Sequence, residues 1–213
     1  MDGPGQGKGP LGEKEPPLVS AAVTTDEIYQ RYLDKAIKEI LRLEHEVAEA
    51  AAGAPVAQPT GHPLATMFLL KYGPQAPELQ EGVAFHGRSG YALKRSLERL
   101  RVDPAEVFGT NCVKFAGADL AQCRAWLRRE LRIVQPRLVI VMGEDALEFL
   151  GSAEFPLARP LAATLGELQQ FTPTIEALVV PDIDLSLDDQ PAKTRFWNAF
   201  KPIGPWWAAL PPY

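Results

Sequence analysis

The run Leu138-Val139-Ile140-Val141-Met142 narrows the possible folds of this chain more than any other stretch. It is an uninterrupted apolar segment between Pro136 and Gly143, and three of its five residues are β-branched. Short runs of this kind are typical of strands buried on both faces, as in parallel sheets covered by helices. We therefore expect a sheet with a helical layer on each side.

Three further apolar runs have the same character, and amphipathic helical patterns separate successive runs. Strands that alternate with helices imply right-handed crossovers, so the sequence predicts a three-layer, doubly wound α/β fold with a four-stranded, mostly parallel sheet. In such a sheet the loops at the carboxyl ends of the strands share one crevice, where ligands bind. The predicted strands are 64–72, 107–115, 138–142 and 175–180.

The rest of the chain is expected to extend this single domain. Residues 1–22 are dense in Gly and Pro and poor in apolar residues, which predicts a disordered tail. Residues 24–53 carry one apolar stripe, which indicates a long amphipathic helix that either packs on the sheet or binds a protein partner. Residues 54–63 are then a linker, 64–203 the folded domain and 204–213 a C-terminal tail.

Composition limits the classes of partner. The net charge of -5 argues against a protein that coats nucleic acid by bulk attraction, although a local basic patch is compatible with it. The two cysteines, Cys112 and Cys123, form no CxxC pair and supply too few thiolates for an all-cysteine metal site. Neither a signal-peptide pattern nor an apolar run of membrane-spanning length is found, so we expect a reduced, cytoplasmic protein with no membrane contact.

Polar side chains follow three of the predicted strands. Tyr72-Gly73-Pro74 and Glu78 come after the first strand, Asn111 ends the second, and Asp184 and Ser186 come after the fourth. Asn111 is the least expected, because it stands in an otherwise apolar and β-branched run. A buried amide at this place either satisfies neighbouring backbone groups or points into the crevice.

With these motifs in this order, the chain resembles the uracil-DNA glycosylase superfamily, most closely its iron–sulfur-containing family 4. Residues 83–90 are similar to the family's P-F-V-G-R-A-G block, 107–114 to its V-Y-I-T-N-V-V-K block, and 123–143 to its C-x-x-x-L…P-K-V-I-V-x-L-G block. The resemblance implies hydrolysis of the N-glycosidic bond of a flipped uracil or other deaminated base in DNA, as in base excision repair. The alternative is an inactive member that binds nucleobases, nucleic acid or proteins.

The resemblance assigns the recognition of the base to two side chains. Asn111 matches the residue that reads the Watson–Crick edge, because an amide accepts from N3 and donates to O4 of uracil at once. Phe85 matches the aromatic residue on which the base stacks, although it is equally compatible with a core position. Tyr72, Gly73 and Pro74 stand in the loop that borders the base in the family.

The catalytic positions depart from the family pattern. Residues 71–75 read Lys-Tyr-Gly-Pro-Gln where family 4 has G-E-A-P-G, and Tyr72 stands at the glutamate position. A neutral phenol is a poor base at neutral pH. Glu78 matches another acidic position of the family loop, so it either serves as the catalytic acid residue or is a solvated loop carboxylate.

Asp184-Leu185-Ser186 stands where the family has H-P-S. An ionised Asp184 repels the oxygen on which negative charge develops, whereas the family's histidine supplies an interaction of a kind worth about 3 to 4 kcal/mol in other enzymes. Asp184 therefore either donates a proton with a raised pKa or activates water as a base. By the same resemblance, Ser186 and Ser89 are expected to contact DNA phosphates.

The cofactor of family 4 is not expected here. That family binds its cluster with four cysteines, but Phe115 stands at the third cysteine position and only Cys123 matches. We therefore predict no iron–sulfur cluster and no other metal site.

Overall fold

The computed structural model describes Met1, Gly3 and residues 24–211, so the predicted disordered tail lies almost wholly outside the described residues. The strands are β1 (Thr60–Gly61), β2 (Met67–Lys71), β3 (Val107–Asn111), β4 (Leu138–Met142), β5 (Leu168–Gln170) and β6 (Glu176–Val180). The helices are α1 (Thr25–Ala50), α2 (Ala76–Glu81), α3 (Arg88–Arg99), α4 (Leu120–Val134), α5 (Glu144–Ser152), α6 (Ile183–Ser186), α7 (Gln190–Phe200) and α8 (Ile203–Ala208). A 3-10 turn at Pro104–Glu106 precedes β3.

The strands form one sheet in the order β1-β3-β2-β4-β6-β5. The four central strands are parallel and are the four predicted ones, so the α/β class is confirmed. The sheet has six strands rather than four, because β1 and β5 pair antiparallel at its two edges. These edge strands have two and three residues, too few to carry a recognisable hydrophobic period.

Helices cover both faces of the sheet, and alternate strand residues point to each. Phe68 and Leu70 belong to a core shared with α1, α4 and α5. Met67 and Leu69 belong to a second core shared with α3, α7 and α8. Because side chains alternate along a strand, Lys71 continues the series of Met67 and Leu69 and lies on the α3 and α7 side.

Helix α1 begins at a capping box, in which Thr24 accepts from the Glu27 backbone and Glu27 accepts in return. Its buried face packs on α4, and Arg129 of α4 donates to Glu46 of α1. Helix α1, which was predicted to pack on the sheet or to bind a protein partner, therefore lies in the helical layer that contains α4. Near its start, Tyr32 is exposed.

A buried ion pair lies within the α1, α4 and α5 core. Lys114 donates to both carboxylate oxygens of Glu130, at 2.7 and 2.8 Å, and Thr110 donates to the same carboxylate. Burial raises the pKa of Glu130, and the charge of Lys114 opposes this shift. This cluster has its polar atoms paired within the fold.

The C-terminal helix α8 belongs to the other core. Trp206 is buried there, and its indole Nε1 donates to Oε2 of Glu176 at 2.6 Å. Among the described residues, every helix is too short or too polar to span a membrane.

Candidate functional site

Asn111 is the last residue of β3 and is fully buried. Neither its Nδ2 nor its Oδ1 has a hydrogen-bond partner among the described residues. A buried polar group left without a partner costs about 1 to 3 kcal/mol, so buried amides are normally satisfied. The amide therefore does not serve neighbouring backbone groups, and its free donor and acceptor are suited to an external ligand.

The ring of Phe85 lies against the same strand, two residues before the amide. A Cβ added to Gly109 would approach Cδ2 of Phe85 to 2.7 Å, and one added to Gly90 would approach the Phe85 carbonyl oxygen to 1.7 Å. Both glycines thus make room for Phe85, which is buried and has a φ of 59°. Since Gly109 and Asn111 point to the same face of the sheet, the ring and the amide share one side of β3.

Lys71 joins the predicted site residues, although the sequence pattern did not indicate a role for it. Its position at the end of β2 is in register with Asn111 on β3. Its Nζ lies 2.5 Å from Glu78 Oε2, 2.6 Å from Asp184 Oδ2 and 5.5 Å from the centroid of the Phe85 ring. The sequence feature that indicates such a role is the charged residue directly after the apolar run Met67-Phe68-Leu69-Leu70.

Glu78 is fully buried in α2, so the interpretation as a solvated loop carboxylate is wrong. Its Oε2 accepts from the Gln75 backbone N–H at 2.6 Å as well as from Lys71, and its Oε1 accepts from the Phe85 backbone N–H. One carboxylate thus fixes the aromatic residue and the ammonium group relative to each other. With three donors on its two oxygens, Glu78 is suited to positioning these groups.

Asp184, in α6, connects this buried group to the surface. Its side chain is 17% exposed, against 1% for Lys71 and 0% for Glu78. It lines a cleft of about 260 Å³ between α2, the start of α3 and the 184–188 segment. Asp184 is therefore the carboxylate of this cluster that water from the cleft reaches most readily.

The structure brings Ser89 to this centre, whereas Ser186 and the Tyr72 ring lie away from it; the partner of Tyr72, Phe149, belongs to the opposite core. Ser89 is buried and lines the same cleft as Asp184. Ser186 is buried, donates to the Asp182 carbonyl oxygen at 2.5 Å and borders a separate cavity of about 460 Å³. The Tyr72 ring packs edge-on against Phe149, with centroids 6.2 Å apart.

Gly73 and Pro74 form the half-buried turn after β2. A Cβ added to Gly73 would meet nothing within 4 Å, so the backbone there borders open space. This turn connects Lys71 to α2, and it therefore sets where Glu78 returns to the ammonium group.

The cysteines do not fit a four-thiolate cluster. Cys112 and Cys123 are both free and buried, and desolvation raises the pKa of each thiol, which disfavours the thiolate that binds metal. Within residues 24–211, no group of three His, Cys, Asp or Glu side chains is arranged to hold a metal ion.

The family model described as Uracil DNA glycosylase superfamily matches residues 59–201. The matched segment contains the whole parallel sheet and every residue of the cluster around Lys71.

Proposed function

Because the chain belongs to the uracil-DNA glycosylase superfamily, we propose that it hydrolyses the N-glycosidic bond of a flipped uracil or other deaminated base in DNA. The observation that carries this proposal is the fully buried amide of Asn111, which has no hydrogen-bond partner among the described residues and lies on the same side of β3 as the Phe85 ring. A flipped base needs an aromatic face to replace its former stacking and a polar group to replace its former base pairing. Phe85 supplies the aromatic face and Asn111 the polar group. In this proposal the protein acts in cytoplasmic base excision repair.

The two carboxylates take different roles in this proposal. Asp184 accepts a proton from the attacking water, because it is the member of the cluster that borders the cleft. Glu78 is a positioning residue, because both of its oxygens already accept hydrogen bonds from the fold. Lys71 offsets the negative charge that Asp184 would otherwise place next to the departing base.

We further propose that the protein is a divergent relative of family 4 that works without an iron–sulfur cluster. Its two cysteines are half the number that such a cluster needs, and both are buried thiols. Purification under anaerobic conditions, followed by iron analysis and visible spectroscopy, tests this. Stoichiometric iron with a visible absorption band would overturn it.

DNA is held, in this proposal, by a basic face on an otherwise acidic protein. Exposed cations lie along α3 and α7, and Arg88 among them lines the cleft, although the whole chain has a net charge of -5. They are Arg88, Lys94, Arg95 and Arg99 on α3, and Lys193 and Arg195 on α7. Such a local cluster offers phosphate contacts that the net charge does not suggest.

The decisive experiment uses single- and double-stranded oligonucleotides that contain uracil, hypoxanthine or xanthine at one position. Formation of abasic sites is measured for the wild type, for Asn111→Ala and for Asn198→Ala. Asn198 is exposed on α7 and controls for the loss of an amide elsewhere. We expect turnover that Asn111→Ala abolishes and Asn198→Ala preserves; equal turnover in both variants would refute the role of Asn111.

A second function is favoured by the cluster itself. Lys71 and Asp184 stand where the family has glycine and histidine, so the chain is also compatible with a module that binds flipped bases without cleaving them. Salt-sensitive, base-dependent binding without abasic sites would support this function. If neither turnover nor DNA binding is found, the exposed apolar residues Ile28, Tyr29 and Tyr32 of α1 make a protein partner the next candidate.

A further inference from the structure

We propose that Lys71 contacts the bound base and restricts the pocket to bases with an imide edge, in which two carbonyl groups flank a ring N–H. This inference rests on the proposed function and adds a residue and a substrate class to it. Uracil and xanthine have such an edge. Hypoxanthine has a single carbonyl beside its ring N–H, and cytosine and adenine lack that N–H.

The first support is the position of the ammonium group. Lys71 and Asn111 are paired residues on adjacent parallel strands and point to the same face of the sheet. The Lys71 Nζ also lies over the ring of Phe85, at 5.5 Å from its centroid. A base that stacks on Phe85 and pairs with Asn111 therefore has the ammonium group as its neighbour.

The second support is the number of donors. An ammonium group has three N–H donors, and Glu78 Oε2 and Asp184 Oδ2 accept from two of them. One donor remains for a further acceptor. The two carboxylates hold Nζ from the α2 and α6 sides, so the remaining donor has a restricted direction.

The chemistry of an imide edge matches this pair of residues. The Asn111 amide accepts from the ring N–H and donates to one carbonyl oxygen, which leaves the second carbonyl oxygen on the other side of the N–H. Lys71 donates to that second oxygen. When the glycosidic bond breaks, its electron pair goes to the base, and the charge spreads onto these oxygens; a fixed donor to one of them stabilises this charge.

A purely structural role explains Lys71 less well. Transferring a charge from water to the protein interior is unfavourable, and apolar residues can often replace a buried ion pair without loss of stability. The same face of β2 already carries Met67 and Leu69, so a further apolar residue would continue the core. The cation at this place is accounted for by the ligand that it serves.

The test compares Lys71→Met with Lys114→Met, which removes the other buried, ion-paired lysine from the opposite core. Single-turnover excision of uracil, xanthine and hypoxanthine is measured in one sequence context. We expect Lys71→Met to slow uracil and xanthine excision by roughly 10²- to 10³-fold, as for loss of one donor to a developing anion. Hypoxanthine excision should change far less, so the ratio of the uracil excision rate to the hypoxanthine excision rate should fall.

Lys114→Met should lower thermal stability and leave the ratio unchanged. An equal loss for all three bases in Lys71→Met, or no loss, would overturn the inference. If Lys71→Met fails to fold, the double variant Lys71→Met/Glu78→Gln removes the unpaired carboxylate and takes its place in the same assay.

The failure of the inference is distinguishable from the failure of the proposed function. If the wild type excises none of the bases, glycosylase activity is refuted, and equilibrium binding of the same oligonucleotides replaces the rate measurement. Tighter wild-type binding to uracil than to hypoxanthine, abolished in Lys71→Met, would then support the imide contact. Equal wild-type affinity for both bases would overturn it.

Discussion

Lys71 and Asn111 are paired residues at the carboxyl ends of two neighbouring parallel strands, and both side chains are buried on the same face of the sheet. One has two carboxylate partners, whereas the other has no partner among the described residues. The site therefore combines a cation fixed by the fold with an amide free to bind.

Gly109→Ala should damage the pocket through the Phe85 ring. The new methyl group would lie 2.7 Å from Cδ2 of Phe85, so the ring has to move away from the strand. We expect a loss of stability of about 1 to 3 kcal/mol, as for other overpacked cores, together with at least a tenfold loss of uracil excision or binding. Gly151→Ala on α5 is the control, since its Cβ would also meet nothing within 4 Å and the residue lies outside the proposed site; equal effects in both would contradict the stacking role.

Asp184→Asn should abolish turnover and leave the fold intact. The amide keeps an oxygen for Lys71 but no longer accepts a proton from water, so a loss of roughly 10² to 10⁴ in rate is expected. Asp188→Asn is the matched control, because Asp188 lines the same cleft and pairs with Arg88 at 3.4 Å. Full activity of the Asp184 variant in an abasic-site assay would exclude it as the base.

Lys114→Met should destabilise the protein by about 3 to 5 kcal/mol, because it leaves the buried Glu130 carboxylate without its cation. Replacing both residues, in Lys114→Met/Glu130→Leu, should recover most of this loss. Urea unfolding measures both variants. A double variant that is less stable than Lys114→Met would show that the pair itself is required.

The single variant should also depend on pH in a defined direction. Desolvation raises the pKa of Glu130 in the folded protein, and Lys114 is the largest opposing influence. A carboxyl whose pKa is higher in the folded state favours folding at low pH, and this contribution is lost as the pH rises through the folded value. Lys114→Met should therefore be more stable in mild acid than at neutral pH, relative to the wild type.

Charge reversal on α3 should weaken DNA binding without changing base preference. Lys94 and Arg95 are exposed, and Arg95 also stacks on Tyr91 at 5.5 Å from the ring centroid. Lys94→Glu/Arg95→Glu should reduce the slope of log affinity against log salt by about 1 for each phosphate group that the variant no longer neutralises. Lys38→Glu on α1, also exposed, should leave the slope unchanged; a similar effect from it would indicate general repulsion.

The central sheet was predictable because its strands are apolar runs with clear ends. Leu138–Met142 has the predicted bounds, whereas the strand predicted over 107–115 ends earlier, at Asn111, where the polar residue interrupts the apolar run. The edge strands were not predictable, because Thr60–Gly61 and Leu168–Gln170 pair with a neighbouring strand but are too short to show a hydrophobic periodicity. Their formation depends on backbone groups of β3 and β6 that only the assembled sheet presents.

The sequence pattern indicated a buried Asn111 at the end of β3, but it did not indicate the partners of the charged residues. The burial of Glu78 depends on backbone N–H groups at Gln75 and Phe85, which the turn after β2 brings together and the residue pattern does not reveal. The burial of Lys71 was not predictable, because a lysine at the end of an apolar run usually marks a return to solvent. Here its side chain is buried and donates to Glu78, 7 residues away, and to Asp184, 113 residues away.

The Asn111 amide, which has no partner among the described residues, also bears on which residue evolution selects at this position. A folded chain gains nothing from burying a donor and an acceptor that remain unbonded, and an apolar residue of similar volume would remove that penalty. Asn111→Leu is therefore expected to raise the melting temperature while ending base recognition. In the proposed function, the demands of folding and of recognition are therefore opposed at this position.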